Sequence, residues 1–363
     1  MAQIDPADVH VEPKEISLEL VPQSRVEIID ISQQVNDRSE DFGAYEKAVY
    51  CSHHTTAGFL DQNFQSRLNH SADSVETFVT AFQKIFPPDA DYRHDRMELR
   101  DELTDEQKEV EPRNADSHLT YISAGLQSCV TYANDPQRPV YFVELDGING
   151  KFHRTRRATI IGYNRDELVN QLEVSIPVSH HPMDSINLRD ARIGVFDLLE
   201  ELLQEYGIKK GRIDLSLAND EMNAGLTVNE YETLLMSHDL IEVLRDPMRY
   251  MAQKGYHMIK DPRAIPSKAK NYAKYDLVQI VNEFIDKLGL SESVVERVLD
   301  KFLAVPASRF LRMKRSVSLL VSDEGAGDVG TIVQGQYQSP ILVQWKKAGG
   351  QERKLNVAIT RFE

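Results

Sequence analysis

Three histidines in polar surroundings mark where this 363-residue chain could do chemistry: His54 in HHTTAG, His94 in DYRHD and His118 in NADSHL. Neutral imidazoles are common ligands of divalent metals, and three around one ion leave a position for water or substrate. A carboxylate such as Asp116 could act as a fourth ligand, or as an acceptor that orients an imidazole from behind. The donor set does not choose among Zn, Mn, Fe and Ni. No compact metal motif has this spacing, so the fold must bring the three together.

A second cluster follows at Glu144-Leu145-Asp146-Gly147, with Lys151, His153, Arg154, Arg156 and Arg157 beyond it. Alternation along a strand places Glu144 and Asp146 on one face. Basic residues packed this densely could clamp a phosphate or pyrophosphate, or they could form a solvated edge strand.

The elements that must position these groups are legible in outline. Ile16 to Ser32 gives two alternating runs broken at Pro22-Gln23, which predicts a hairpin. Lys47–Ser52 is a short buried strand leading into the His54 motif. Residues 62–86 repeat at helical spacing up to Pro87-Pro88, and 89–111 reads as a solvated loop or exposed helix. Strands are expected at Leu119–Ser123, Gln127–Tyr132, Val140–Leu145 and Ala158–Tyr163. In the second half a helix is expected over Ile193–Tyr206, a strand over Arg212–Leu217 and helices over Glu230–Leu244 and Tyr275–Phe302. Strands then follow at Ser316–Val321, Gly330–Gln334, Ile341–Trp345 and Leu355–Phe362.

The length suits two domains, and an apolar fraction of 41% is enough for real cores. A net charge of −15 argues against nucleic acid or an anionic membrane surface as the main partner. Cys51 and Cys129 are too few for a disulfide framework and lie in apolar runs, so both are expected in the core. Met1 to Glu15 has neither a basic nor an apolar leader region, and no stretch is apolar enough to span a bilayer. A cytoplasmic location, with no membrane contact, is the expectation.

The halves match each other at both ends. Ala57-Gly58-Phe59 corresponds to Ala224-Gly225-Leu226, and the segment from Pro139 to that from Pro340. A net insertion of two helices near 272–304 would reconcile the two offsets. The division expected is a tail over 1–15, one α+β unit over 16–171 and a diverged copy over 172–363. At aligned positions the second copy has Glu221 for His54 and Arg309 for His118, with His257 as a remnant of His94. The Ala-Gly turn persists in both copies and the imidazoles in one, which points to a functional site in the first.

HTTAGF at 54–59, Tyr92-Arg93-His94, NADSHL at 114–119 and YFVELDG at 141–147, in this order, resemble the YjbQ-type family over about residues 16–163. The resemblance implies an α+β unit of mixed and antiparallel sheets with covering helices, in a homotrimer. It also implies pocket roles for His54, Thr55, Thr56, His94, Asn114, Asp116, His118, Glu144 and Asp146. The activity it implies is thiamine-phosphate synthesis, joining a pyrimidine diphosphate to a thiazole phosphate with loss of pyrophosphate. On this expectation a divalent metal sits on His54, His94 and His118. Glu144, Asp116 and Asp146 are the candidate catalytic carboxylates, and Thr55, Thr56, Asn114, Arg154 and Arg156 bind the phosphorylated small molecule. The alternatives are metal-assisted hydrolysis and a non-catalytic metal-binding, ligand-binding or assembly protein. One departure is suggestive: the family's Asn-Glu pair is replaced by Gln62-Asn63 in the first copy but present as Asn229-Glu230 in the second. A pocket shared between the copies would unite that pair with the imidazoles; the alternative is that Asn229-Glu230 simply begins the next helix.

Overall fold

Period-two apolar patterning builds the same pair of sheets twice along the chain. The computed structural model describes residues 11–100, 103–150, 152–181, 183–231, 239, 313–324 and 327–363. The first half runs β1 (Lys14–Leu20), β2 (Glu27–Asp30), α1 (Ile31–Arg38), β3 (Lys47–Ser52), β4 (Ala57–Gly58), α2 (Gln62–Arg67), α3 (Ala72–Ile85) and α4 (Asp105–Val110). It continues through α5 (Ala115–Ala124), β5 (Cys129–Ala133), β6 (Tyr141–Glu144), β7 (Ile148–Asn149), β8 (Phe152–His153) and β9 (Arg156–Tyr163). The second half has β10 (Asp166–Pro177), β11 (Asp184–Asn187), α6 (Val195–Glu205), β12 (Gly211–Leu217) and β13 (Ala224–Asn229). It ends with β14 (Ser316–Ser322), β15 (Thr331–Val333), β16 (Ser339–Gln344) and β17 (Glu352–Phe362).

The large sheets have the orders β1-β9-β3-β5 and β10-β17-β12-β14-β15, and the small sheets β2-β6-β4 and β11-β16-β13. Register repeats as well as order. Ala57 opposes Glu144 and Gly58 opposes Val143, as Ala224 opposes Gln344 and Gly225 opposes Val343. The fold is therefore α+β, built as two tandem units of one topology.

Alternate residues of a strand face opposite ways, and here both faces are used. Ala48 and Tyr50 of β3 enter the core of their own half. Val49 and Cys51 face a seam shared with Leu320 and Phe362 of the second half. This is why Lys47–Ser52 reads as a continuous apolar run. At the seam Tyr163 and Phe362 stack with ring centroids 4.0 Å apart, 8° from parallel. Cys51 and Cys129 are free, buried and opposite each other.

A further core packs α3 and α5 against Val143 and Leu145, with Ile341, Val343 and Trp345 arriving from the second half. Every residue of α5 is buried, as expected of a helix covered on all sides. No helix among the described residues is long and apolar enough to cross a membrane.

Several sequence expectations need correction. The predicted hairpin does not form: β1 pairs with β9, and β2 pairs with β6 in another sheet. Alternation reports a half-buried face and says nothing of the partner strand. The strand expected at Leu119–Ser123 is the middle of α5, because full burial removes the amphipathic signature. Left-handed Gly125 (φ 72°) closes that helix. The helix expected over 62–86 is two helices, interrupted where Asn69 and His70 take φ of 56° and 50°. β1 begins at Lys14, inside the expected tail, and the expected boundary at 171 falls within β10. The helices expected over 275–302, the insertion near 272–304, Lys151, His257, Arg309 and most of the helix expected over 230–244 lie outside the described residues.

Candidate metal centre

The stretch expected to be solvated, 89–111, carries the centre: Tyr92, His94 and Arg100 are all buried. His94 is held from two directions. Its backbone N–H donates to Asp239 Oδ2 at 3.0 Å, and its ring Nδ1 lies 3.1 Å from Asp95 Oδ1. Asp95 Oδ1 also accepts from the Ala115 N–H at 3.0 Å, which ties the loop to the first turn of α5.

His118, one turn further along α5, is 1% exposed. Its Nδ1 lies 2.7 Å from Oδ1 of Asn229, the last residue of β13. The next residue, Glu230, places Oε2 3.5 Å from His118 Nε2 and Oε1 3.8 Å from Arg100 Nη2. The imidazoles of His94 and His118 stand 5.1 Å apart between centroids. One donor atom from each of His94, His118 and Glu230 falls within 4.8 Å of the others.

Burial decides the charge states here. The His118 pKa is pushed down to about 3 by desolvation and then by His94, against the hydrogen bond to Asn229. The ring is neutral at physiological pH, as a metal ligand requires. Desolvation raises Asp95 to about 6, against its bond from Ala115 and the nearby His118 and Arg25.

The other expected site residues form an internally paired lattice beside this centre. Arg25 donates to both oxygens of Asp116 at 2.8 Å, so Asp116 is paired with Arg25 and stands outside the donor group of His94, His118 and Glu230. Burial lifts the Asp116 pKa to about 6 against Arg25's pull, and raises that of Glu144 against Arg156's. Arg156 grips Glu144 at 2.5 and 2.7 Å and also reaches Thr56 Oγ1 at 3.1 Å and the Asp146 carbonyl at 3.0 Å. Asp146 Oδ2 accepts from Arg154 at 2.7 Å and from Asn114 Nδ2 at 2.8 Å. The expected phosphate clamp of Arg154 and Arg156 and the expected catalytic carboxylates Glu144 and Asp146 thus spend their charge on one another. Thr55 meets the centre through its backbone, its carbonyl accepting from Asn229 Nδ2 at 3.1 Å.

The structure does not bring His54 into the donor group. Its Nε2 accepts from the Arg157 N–H at 2.7 Å, its Nδ1 faces Arg156, and its carbonyl accepts from Gln338 at 2.8 Å. Burial and then Arg156 push its pKa down to about 3. Its counterpart Glu221 occupies the same place in the second half: Arg353 grips Glu221 at 2.6 Å and reaches Gln344, which stands where Glu144 stands in the first half. A buried arginine persists in both copies, while its acidic partner has moved from strand β6 to the loop before β13.

The second half therefore supplies Asn229, Glu230 and Asp239 to the centre. Alignment of the two copies flags the first two. Nothing in the sequence signals Asp239, Asp95 as an orienting acceptor, or Arg25.

No family model matches the sequence, and no curated protein matches it. Solved structures similar to it include a YbjQ-like protein of unknown function from Sulfolobus solfataricus P2. That one is 15% identical over 54% of this chain and 99% of its own, with a TM-score of 0.27. A hypothetical protein from Aeropyrum pernix K1 is 16% identical over 53% and 98%, with a TM-score of 0.28. An uncharacterized conserved protein of the YjbQ/UPF0047 family from Clostridium acetobutylicum is 15% identical over 52% and 98%, with a TM-score of 0.25.

Proposed function

We propose that this chain is a metal-dependent enzyme acting on a phosphorylated small molecule, with a divalent ion held by His94, His118 and Glu230. The observation that carries the reading is the convergence of these three donors within 4.8 Å. The donor chemistry fits such an ion. His118 Nε2 is buried, has no hydrogen-bond partner among the described residues and faces a carboxylate. Two imidazoles and one carboxylate suit Zn, Mn, Fe or Ni and leave further coordination positions. When bound, such an ion supplies Lewis-acid stabilisation of charge on a phosphoryl or carbonyl oxygen.

The chain's own groups prepare the site. Asp95 and Asn229 orient the two rings, and Arg100 adds a permanent positive charge at the edge formed by Glu230 and Glu111. Joining a pyrimidine diphosphate to a thiazole phosphate is the first reaction to assay, and phosphate-ester hydrolysis the second. The near-complete burial of His94 and His118 favours one other reading, a non-catalytic metal or ligand sensor. By resemblance we expect a homo-oligomer, a trimer, which sedimentation would test.

Metal analysis by mass spectrometry of the purified protein tests the centre. We expect about one transition metal per chain in wild type and in His54→Ala, and loss in His118→Ala and Glu230→Ala. Equal metal in wild type and Glu230→Ala would remove Glu230 from the donor set, and no metal after reconstitution would end the reading. Metal without turnover of phosphorylated thiamine precursors would favour the sensor.

A further inference from the structure

We propose that Asn229 is a positioning residue through which the second half fixes the tautomer of His118, turning the Nε2 lone pair toward Glu230 and His94. The proposal deepens the metal-centre reading and rests on it for its functional meaning.

The amide of Asn229 is fully buried and can take only one orientation. Its Oδ1 accepts from the Glu230 N–H at 2.8 Å, and its Nδ2 donates to the Thr55 carbonyl at 3.1 Å. Exchanging the two ends would set N–H against N–H at Glu230 and oxygen against oxygen at Thr55. The atom 2.7 Å from His118 Nδ1 is therefore an acceptor. A neutral imidazole carries one proton, and with an oxygen at that distance the proton belongs on Nδ1. The lone pair is then on Nε2, the atom 3.5 Å from Glu230 Oε2. The opposite tautomer would press two acceptors together at 2.7 Å, a closer clash than the 3.5 Å between Nε2 and Glu230 Oε2.

The first half has no such device at the matching position. Gln62 opens α2 and uses its Oε1 to accept from the Ala133 N–H. Asn229 thus contributes something separate from the carboxylate beside it: Glu230 would bind an ion, whereas Asn229 decides whether His118 can.

The test is ¹⁵N imidazole NMR on the full-length, chelator-treated protein, compared with Asn229→Asp and Asn229→Leu, each then titrated with zinc. We expect wild type and Asn229→Asp, which keeps an acceptor, to show a protonated Nδ1 on His118. Asn229→Leu should lose that preference and bind zinc about 10–100-fold more weakly. A proton on Nε2 in wild type, or an unchanged tautomer in Asn229→Leu, overturns the proposal. If Asn229→Leu does not fold, wild type and Asn229→Asp decide it, because either one with Nε2 protonated defeats it. Expected tautomers with no zinc bound by any variant would leave Asn229's role standing and defeat the metal-centre reading instead.

Discussion

Neighbours decide what each imidazole can do: Asn229 faces His118, whereas Arg156 and Arg157 face His54. His94 and His118 were legible as candidate donors because they sit in polar motifs, and His118 is replaced in the second copy. His54 misled, because sequence cannot show that both its ring nitrogens face the arginines of a neighbouring strand. Arg154 and Arg156 looked free for phosphate until their carboxylate partners were placed around them. Buried neutral histidines also carry a pH signature. His53 and His54 are pushed down to about 4 and 3, chiefly by burial, with Arg157 and Arg156 adding to it. Once unfolded they titrate near 6.5. The unfolded chain therefore takes up protons first, and the stability these rings contribute is present above pH 6.5 and lost as pH falls toward 3. Asp95 and Asp116, raised to about 6, act in the opposite direction between about pH 6 and 4. We expect His54→Gln to lose less stability than wild type between pH 7 and 4.5, by on the order of 2 kcal/mol in urea unfolding.

At the scale of elements, strands were the easier reading and their partners the harder one. Nearly every predicted strand of the second half exists within a residue or two, since period-two burial is a local property. Pairing is not local, so β1 and β2 were joined on paper although they belong to different sheets. Helix α5 was lost for a different reason. Its polar residues Asp116, Ser117, His118, Thr120 and Ser123 are buried together with its apolar ones, so no clean apolar stripe marked the helical period. The repeated Ala-Gly step was legible in sequence, and its cause is now physical. A side chain at Gly58 would place Cβ 2.5 Å from the Gln127 carbonyl oxygen and 2.9 Å from Tyr121. Gly58→Ala should therefore cost about 1–3 kcal/mol, read as a lower urea midpoint. An unchanged midpoint would mean that β4 can shift away from Gln127 without loss.

For the whole molecule, the seam is a further core, smaller than that of either half, that joins the two. Strands β3 and β9 each send alternate residues into it, Cys129, Leu320 and Phe362 join them from β5, β14 and β17, and Tyr163 stacks on Phe362 there. Phe362→Ala should cost about 3–5 kcal/mol, and the two halves should still melt in one transition. Two separate transitions would show that each half is stable without the other. That the second half would also contribute to the candidate site was suggested by Asn229-Glu230, a pair the first half lacks. One consequence concerns dilution. Where a carboxylate comes from a separate subunit, ligand sets disperse as protein concentration falls and can be reshuffled by subunit exchange. Here Glu230 is tethered to the chain that carries His94 and His118, so it is delivered at a fixed effective concentration. The centre should keep the same stoichiometry and affinity from micromolar to nanomolar protein, indifferent to whatever larger assembly the chain enters.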